Sequence, residues 1–90
     1  MTIEELDADK AKKFKLREDE QGLVVTDVIK GGPAASAGVR AGDLVREVNR
    51  RDVRSLEGFR GALQKGEGEA DLLLLKRGEA YVYVAVKPKT

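Results

Sequence analysis

Several groups of residues in this chain have the types and spacing that chemistry uses. The stretch GGPAASAGVRAGD (31–43) is rich in glycine and alanine, as loops that cradle phosphates are. Ser36 lies inside it and Ser55 follows, the only two hydroxyls of serine on offer as nucleophiles. Glu4/Glu5 and Glu67/Glu69 are carboxylate pairs of the kind used in acid–base chemistry. Against these stands the absence of any histidine or cysteine, which removes His-based triads, thiol nucleophiles and zinc sites built on the usual ligands. A Walker-type loop needs Lys-Ser/Thr after its last glycine, and here Gly38 is followed by Val39-Arg40. The dinucleotide fingerprint needs Gly-x-Gly-x-x-Gly opening a full helix, and neither that spacing nor that length is present. The glutamate pairs sit in charged, exposed surroundings and read as solvated surface. The chemistry therefore fails at each point: the chain is expected to hold no catalytic residues, no metal site and no cofactor, and the small residues read as close-packed turns.

The elements that bear these residues follow from the pattern. With 90 residues the chain has the length of one domain and one modest core. Its 17 basic and 16 acidic residues nearly cancel, so net charge gives no support to a nucleic-acid or anionic-membrane partner. The apolar runs, Leu72–Leu75 among them, are far too short to span a bilayer, and direct membrane insertion is not expected. Thr2–Leu6 reads as an edge strand. Asp7 or Asp9 caps a short helix over 8–15, and REDEQG (17–22) reads as a charged, solvated turn. GLVVTDVI (22–29) is a β-branched strand. Pro33 opens a mini-helix that Gly38 stops, Val39 packs back on it, and AGD (41–43) turns into a strand over 43–49. After a tight turn at 49–53, with a short strand at 52–54, Ser55 caps a helix over 56–65. Leu56, Phe59, Ala62 and Leu63 give that helix an apolar face, with Phe59 assigned to the core. Its Gly58 and Gly61 each cost up to about 1 kcal/mol against alanine, which calls for a packing or access reason. Gly66-Glu67-Gly68 ends it. Residues 70–77 and 80–86 form a hairpin about Gly78-Glu79, and Pro88 closes the last strand. The sum is a mainly β, α+β fold: a five- to six-stranded, partly open antiparallel barrel capped by two helices.

The residues GLVVTDVIKGGPAASAGVRAGDLVREVNRRDVRSLEGFRGAL resemble a PDZ domain of the circularly rearranged bacterial kind. Segments 22–29, 32–43 and 44–53 carry the likeness, with one departure: Asn49-Arg50 stands where the family places Asn-Gly. The helix DADKAKKFKL makes the chain most similar to the second PDZ domain of HtrA/Deg-type serine proteases. Site-2 metalloproteases, carboxyl-terminal processing proteases and secretion-system subunits carry a similar core motif. The resemblance implies one domain over 1–90 that recognises C-terminal or extended apolar peptides, or unfolded-protein segments, by strand addition. It implies a periplasmic or cell-envelope setting in a serine endopeptidase whose catalysis lies in another domain. It places the ligand between edge strand 1–6 and helix 56–65, on Met1, Thr2, Ile3, Glu4, Leu56, Arg60 and Leu63. Met1, Ile3 and Leu63 would line the pocket for the ligand's last side chain, with Leu56 and Arg60 facing residues upstream. An apolar Leu56 implies an apolar ligand residue two back from the terminus. On the residues alone each apolar position is core before it is groove; the resemblance reverses this for Ile3 and Leu63 and leaves Leu56 and Arg60 open. The family's Leu-Gly before Met1-Thr2-Ile3 is not in this sequence, so a domain excised from a longer protein, with weak C-terminal peptide binding, is expected. The alternative is an assembly domain with an unused groove, contacting other domains or subunits.

Overall fold

In a computed structural model, which describes residues 1–17, 20–63 and 70–87, extended segments between the turn residues form six strands, and three short helices join them. In chain order these are β1 (Thr2–Glu5), α1 (Ala8–Lys13), β2 (Leu23–Asp27), α2 (Pro33–Ala37), β3 (Leu44–Val48), β4 (Arg51–Asp52), α3 (Leu56–Ala62), β5 (Asp71–Arg77) and β6 (Ala80–Val86). All pairings are antiparallel, and the sheet runs β1-β2-β3-β5-β6 with β4 attached to β3. It is an open sheet, with β1 and β6 as its two edges. No described helix is long and apolar enough to cross a membrane.

The glycine-alanine stretch is a packing device, as its composition implies. Gly32 caps α2, Pro33 opens it with φ already set, and Gly38 ends it at φ 102° in the left-handed region. The Val39 amide then reaches back to the Ala34 carbonyl at 3.0 Å, which satisfies a carbonyl at the helix end and buries the valine. The second turn delivers Asp43, a carboxylate almost without exposure. Arg77 of β5 holds it through Nε at 2.9 Å and Nη2 at 2.7 Å, and the Arg40 amide donates to it at 2.9 Å. The first consequence of that contact is an Arg77 guanidinium pushed further toward its charged form by the Asp43 hydrogen bond.

One face of the sheet carries the main core, built from Leu23, Val25, Val45, Val48, Leu73, Leu75 and Val84 against Ala34, Val39, Val53 and Ala62. Val24 and Leu44, on the alternate positions, are equally buried but outside that cluster. They belong to the opposite face, where Ala11 of α1 is buried, Leu16 lines a cleft with Leu44, and Phe14 lies against Gly42. β2 is thus covered on both sides, which is why its LVV run is apolar without alternation.

Element ends differ from expectation in α1, β4 and α3 among others. α1 stops at Lys13 and not at 15, because Lys15 takes a left-handed φ of 59°. Asp7, not Asp9, is its cap, accepting the Lys10 amide at 2.8 Å. β4 covers 51–52 and not 52–54, because Asn49 and Arg50, at φ 51° and 69°, make a two-residue turn that pairs Val48 directly with Arg51. α3 ends at Ala62, since Leu63 is extended (ψ 144°); the Gly66-Glu67-Gly68 stop, the Glu67/Glu69 pair and Pro88 lie outside the described residues. The segment read as a solvated turn is also not fully solvated. The Glu20 side chain is only 9% exposed, bridging Arg46 of β3 and Lys76 of β5.

Candidate functional site

α3 is short, and its existence rests on its start. The Ser55 hydroxyl accepts the Gly58 amide at 3.0 Å, and Glu57 sits in the first turn, where a carboxylate complements the helix dipole. Leu56, Phe59, Arg60 and Leu63 are spaced by three and four residues, so they form one stripe along the helix. Ala62, off that stripe, is buried in the core.

The stripe faces β1. Met1, Ile3, Leu56, Phe59, Arg60 and Leu63 together line an open groove of about 410 Å³. Ile3, Leu56, Phe59 and Leu63 are half-buried and pack on the core from the groove side, while Met1 is exposed. Among the described residues β1 pairs with β2 alone, so its other edge, with main-chain N–H and C=O groups, runs along the groove. A shift of register between Thr2 and Ile3 sharpens the local twist there.

Five of the residues expected from sequence therefore meet in one place: Met1, Ile3, Leu56, Arg60 and Leu63. Thr2 and Glu4 lie on the same strand at the alternate positions and do not line the groove. Glu4 turns to Lys10 of α1 at 3.6 Å, and the Thr2 carbonyl accepts from the Thr26 hydroxyl at 3.4 Å. Lys10 is shared with Asp7, whose carboxyl is held below its usual range, first by the Lys10 amide and then by the Lys10 ammonium. Phe59, assigned to the core, is the residue the sequence reasoning missed. Its place three after Leu56 and four before Leu63 puts it in the middle of the stripe, and that spacing was the available signal.

Chemically, the groove offers an apolar floor, a free strand edge and one cation, Arg60, that has no ion-pair or hydrogen-bond partner among the described residues. It suits an extended segment laid between a strand and a helix. The described residues contain no group of three or more acidic side chains fit to hold a metal.

Comparison with known proteins gives the class and then the lineage. The PDZ domain family pattern matches residues 24–77, and this chain belongs to that family. Over 85 residues it is 39% identical to a probable periplasmic serine endoprotease, DegP-like, of Chlamydia muridarum; the match covers 94% of this chain and 17% of that protein. It is 34% identical over 68 residues to the mitochondrial serine protease HTRA2 of Drosophila virilis, covering 76% of this chain and 16% of that one. The chain thus spans about a sixth of the length of the curated relatives it matches. Among solved structures, the HtrA-type protease AlgW with a decapeptide superposes with TM-score 0.81 at 19% identity, over 98% of this chain and 28% of that one. The HtrA3 PDZ domain bound to a phage-derived ligand (FGRWV) superposes with TM-score 0.78 at 19% identity, over 99% and 81%. The partly open antiparallel barrel with helices expected from sequence is here an open six-stranded antiparallel sheet with helices, the PDZ fold of these domains.

Proposed function

We propose that this domain captures extended peptides with apolar ends by adding them as a strand to β1, beside α3, on behalf of a periplasmic serine endoprotease of the HtrA/DegP kind. The observation that carries this is the groove of about 410 Å³ with an apolar stripe on one wall and an unpaired strand edge on the other. The two solved relatives named above were both seen with peptide, and the bacterial relative is named periplasmic, which supports the setting. Main-chain pairing with the outer edge of β1, through the N–H and C=O groups of Ile3 and Glu5, supplies affinity that any extended segment can use; those of Glu4, expected at the site, are turned to Val24 of β2. Met1, Ile3, Phe59 and Leu63 select an apolar terminal side chain, and Leu56 selects a second apolar residue upstream. Recognition is this domain's contribution, and bond cleavage belongs to another part of the protease.

Titration of the isotope-labelled domain with short peptides, followed by amide shifts, tests this. Peptides ending in valine or leucine should shift residues 2–6 and 56–63 together, while peptides ending in lysine should not. Leu63→Lys, at a half-buried groove position, should weaken binding at least about tenfold with the fold intact. Shifts centred on another surface, or equal binding of the two peptide classes, would refute the assignment.

A further inference from the structure

The other edge of the sheet is also open. Among the described residues β6 pairs with β5 alone over its full length, Ala80–Val86, and Tyr81 and Tyr83 on it are each 60% exposed. The β5–β6 hairpin closes over two residues, Gly78 and Glu79, with Arg77 paired directly to Ala80 and Gly78 at φ 62°. A pair closed across so short a turn is of the hydrogen-bonded kind, with the Ala80 amide donating to the Arg77 carbonyl. Alternation then commits Val82, Val84 and Val86 to β5 and leaves the N–H and C=O groups of Tyr81, Tyr83 and Ala85 aimed outward. None of the usual guards of an edge strand lies within β6: it has no proline, no lysine and no interruption of its register with β5. Its charges stand at the two ends, Glu79 before it and Lys87 after it, and neither has an ion-pair partner among the described residues.

We propose that β6 is the site of self-association: it pairs antiparallel with β6 of a second copy of this chain, across a two-fold axis through Tyr83. In that register Tyr83 meets the second copy's Tyr83, Tyr81 meets Ala85, and Glu79 lies opposite Lys87. Every outward-aimed main-chain group of one strand then finds an outward-aimed partner on the other, as an isologous interface requires. The charges fix this register. Sliding by two residues one way carries Lys87 past the Gly78-Glu79 turn with no strand residue opposite it, and sliding the other way sets Tyr81 against Lys87; either slip parts Glu79 from Lys87 and shortens the ladder. The occupant is a second copy because the strand is complementary to itself end to end, in charge as well as in hydrogen bonding. β1 cannot serve the same purpose, since its four residues are interrupted by the shift at Thr2/Ile3 and walled by α3.

Sedimentation equilibrium of the 90-residue chain from micromolar to millimolar concentration tests this. A monomer–dimer equilibrium is expected. Tyr83→Lys, which sets two ammonium groups face to face on the axis, should weaken it roughly tenfold or more. Glu79→Lys and Lys87→Glu should each weaken it several-fold, and the double exchange should restore it. These positions are exposed, so folding is not at stake, and circular dichroism confirms it. A chain monomeric throughout the range would overturn the proposal. So would a dimer indifferent to Tyr83→Lys, single and double charge variants that behave alike, or a dimer broken by Leu63→Lys, which would put the contact at β1.

Discussion

Asn49 shows how much one side chain can position. Its Nδ2 donates to the Ala62 carbonyl at 2.8 Å and to Asp71 Oδ1 at 3.0 Å, while its Oδ1 accepts the Leu72 amide at 2.9 Å. The β3–β4 turn is thereby tied to the end of α3 and to the start of β5, and α3 is fixed relative to the sheet. That a turn occurs at Asn49 is readable from its type. That it clamps the helix is not, because its partners lie 13 and 22 residues away, and nothing local announces them. Arg50 beside it has the same left-handed backbone, φ 69°, without a hydrogen bond or ion pair among the described residues to offset the strain of a β-carbon there. Arg50→Gly should therefore raise stability by about 0.5–1 kcal/mol, the left-handed strain relieved less the extra chain entropy of glycine. Urea unfolding of the two proteins, with equal slopes, checks this; a lower midpoint for the glycine variant would mean that Arg50 makes a contact that matters. The same comparison explains why Asn49-Arg50 departs from the usual Asn-Gly without breaking the turn: asparagine takes the first left-handed position cheaply, and only the second carries a cost.

At the level of elements, sequence patterns located strands and helices well because alternation and capping are local. They failed where an element's partners are distant. The charged run at 17–22 has the composition of a solvated turn, yet Glu20 is drawn under two cations that belong to β3 and β5. The irregular register of β3 against β5 between Val45 and Glu47 leaves Arg46 out of the ladder, free to reach the Gln21 carbonyl at 3.0 Å and the Glu20 carboxylate. The hydrogen bond from Lys76, followed by the charges of Lys76 and Arg46, holds the Glu20 carboxyl below its usual range against the opposing effect of burial. A carboxylate with a folded pKa below its unfolded one stabilises the fold fully above the unfolded value, about 4.3, and loses that contribution as pH falls through the folded value. Glu20→Gln should cost about 2–3 kcal/mol at neutral pH, less than for a fully buried pair because Arg46 keeps some solvent. The difference in stability between wild type and Glu20→Gln should stay level down to about pH 5 and shrink below about pH 4. Chemical denaturation of both proteins across that range measures it. A gap that persists undiminished at pH 2 would show that the bridge contributes through shape and not through charge. The same distance argument covers the groove: the stripe on α3 was visible as a period, but which of its members are roofed by other elements depends on β1, far away in sequence.

Taken whole, the molecule is one sheet with two usable edges that face different partners. On the readings proposed above, β1, beside the apolar stripe of α3, takes a guest strand, and β6, flanked by Glu79 and Lys87, takes its own copy. The sheet order β1-β2-β3-β5-β6 puts three strands between them, so pairing at β6 leaves the β1 groove open in both copies. A dimer of this form presents two grooves at a fixed separation, and a substrate with two apolar segments gains effective concentration for its second contact without any new contact surface. The two equilibria should be independent for a peptide that carries one segment. Calorimetric titration of such a peptide into wild type and into Tyr83→Lys should give the same Kd, with one peptide per chain in each. The saturated wild-type domain should still sediment as a dimer. A tandem peptide whose linker spans the two grooves should then bind wild type roughly a hundredfold more tightly than the single peptide, an advantage that Tyr83→Lys removes. A single peptide that dissolves the dimer, or binds more tightly to Tyr83→Lys, would mean that guest and copy compete for one edge.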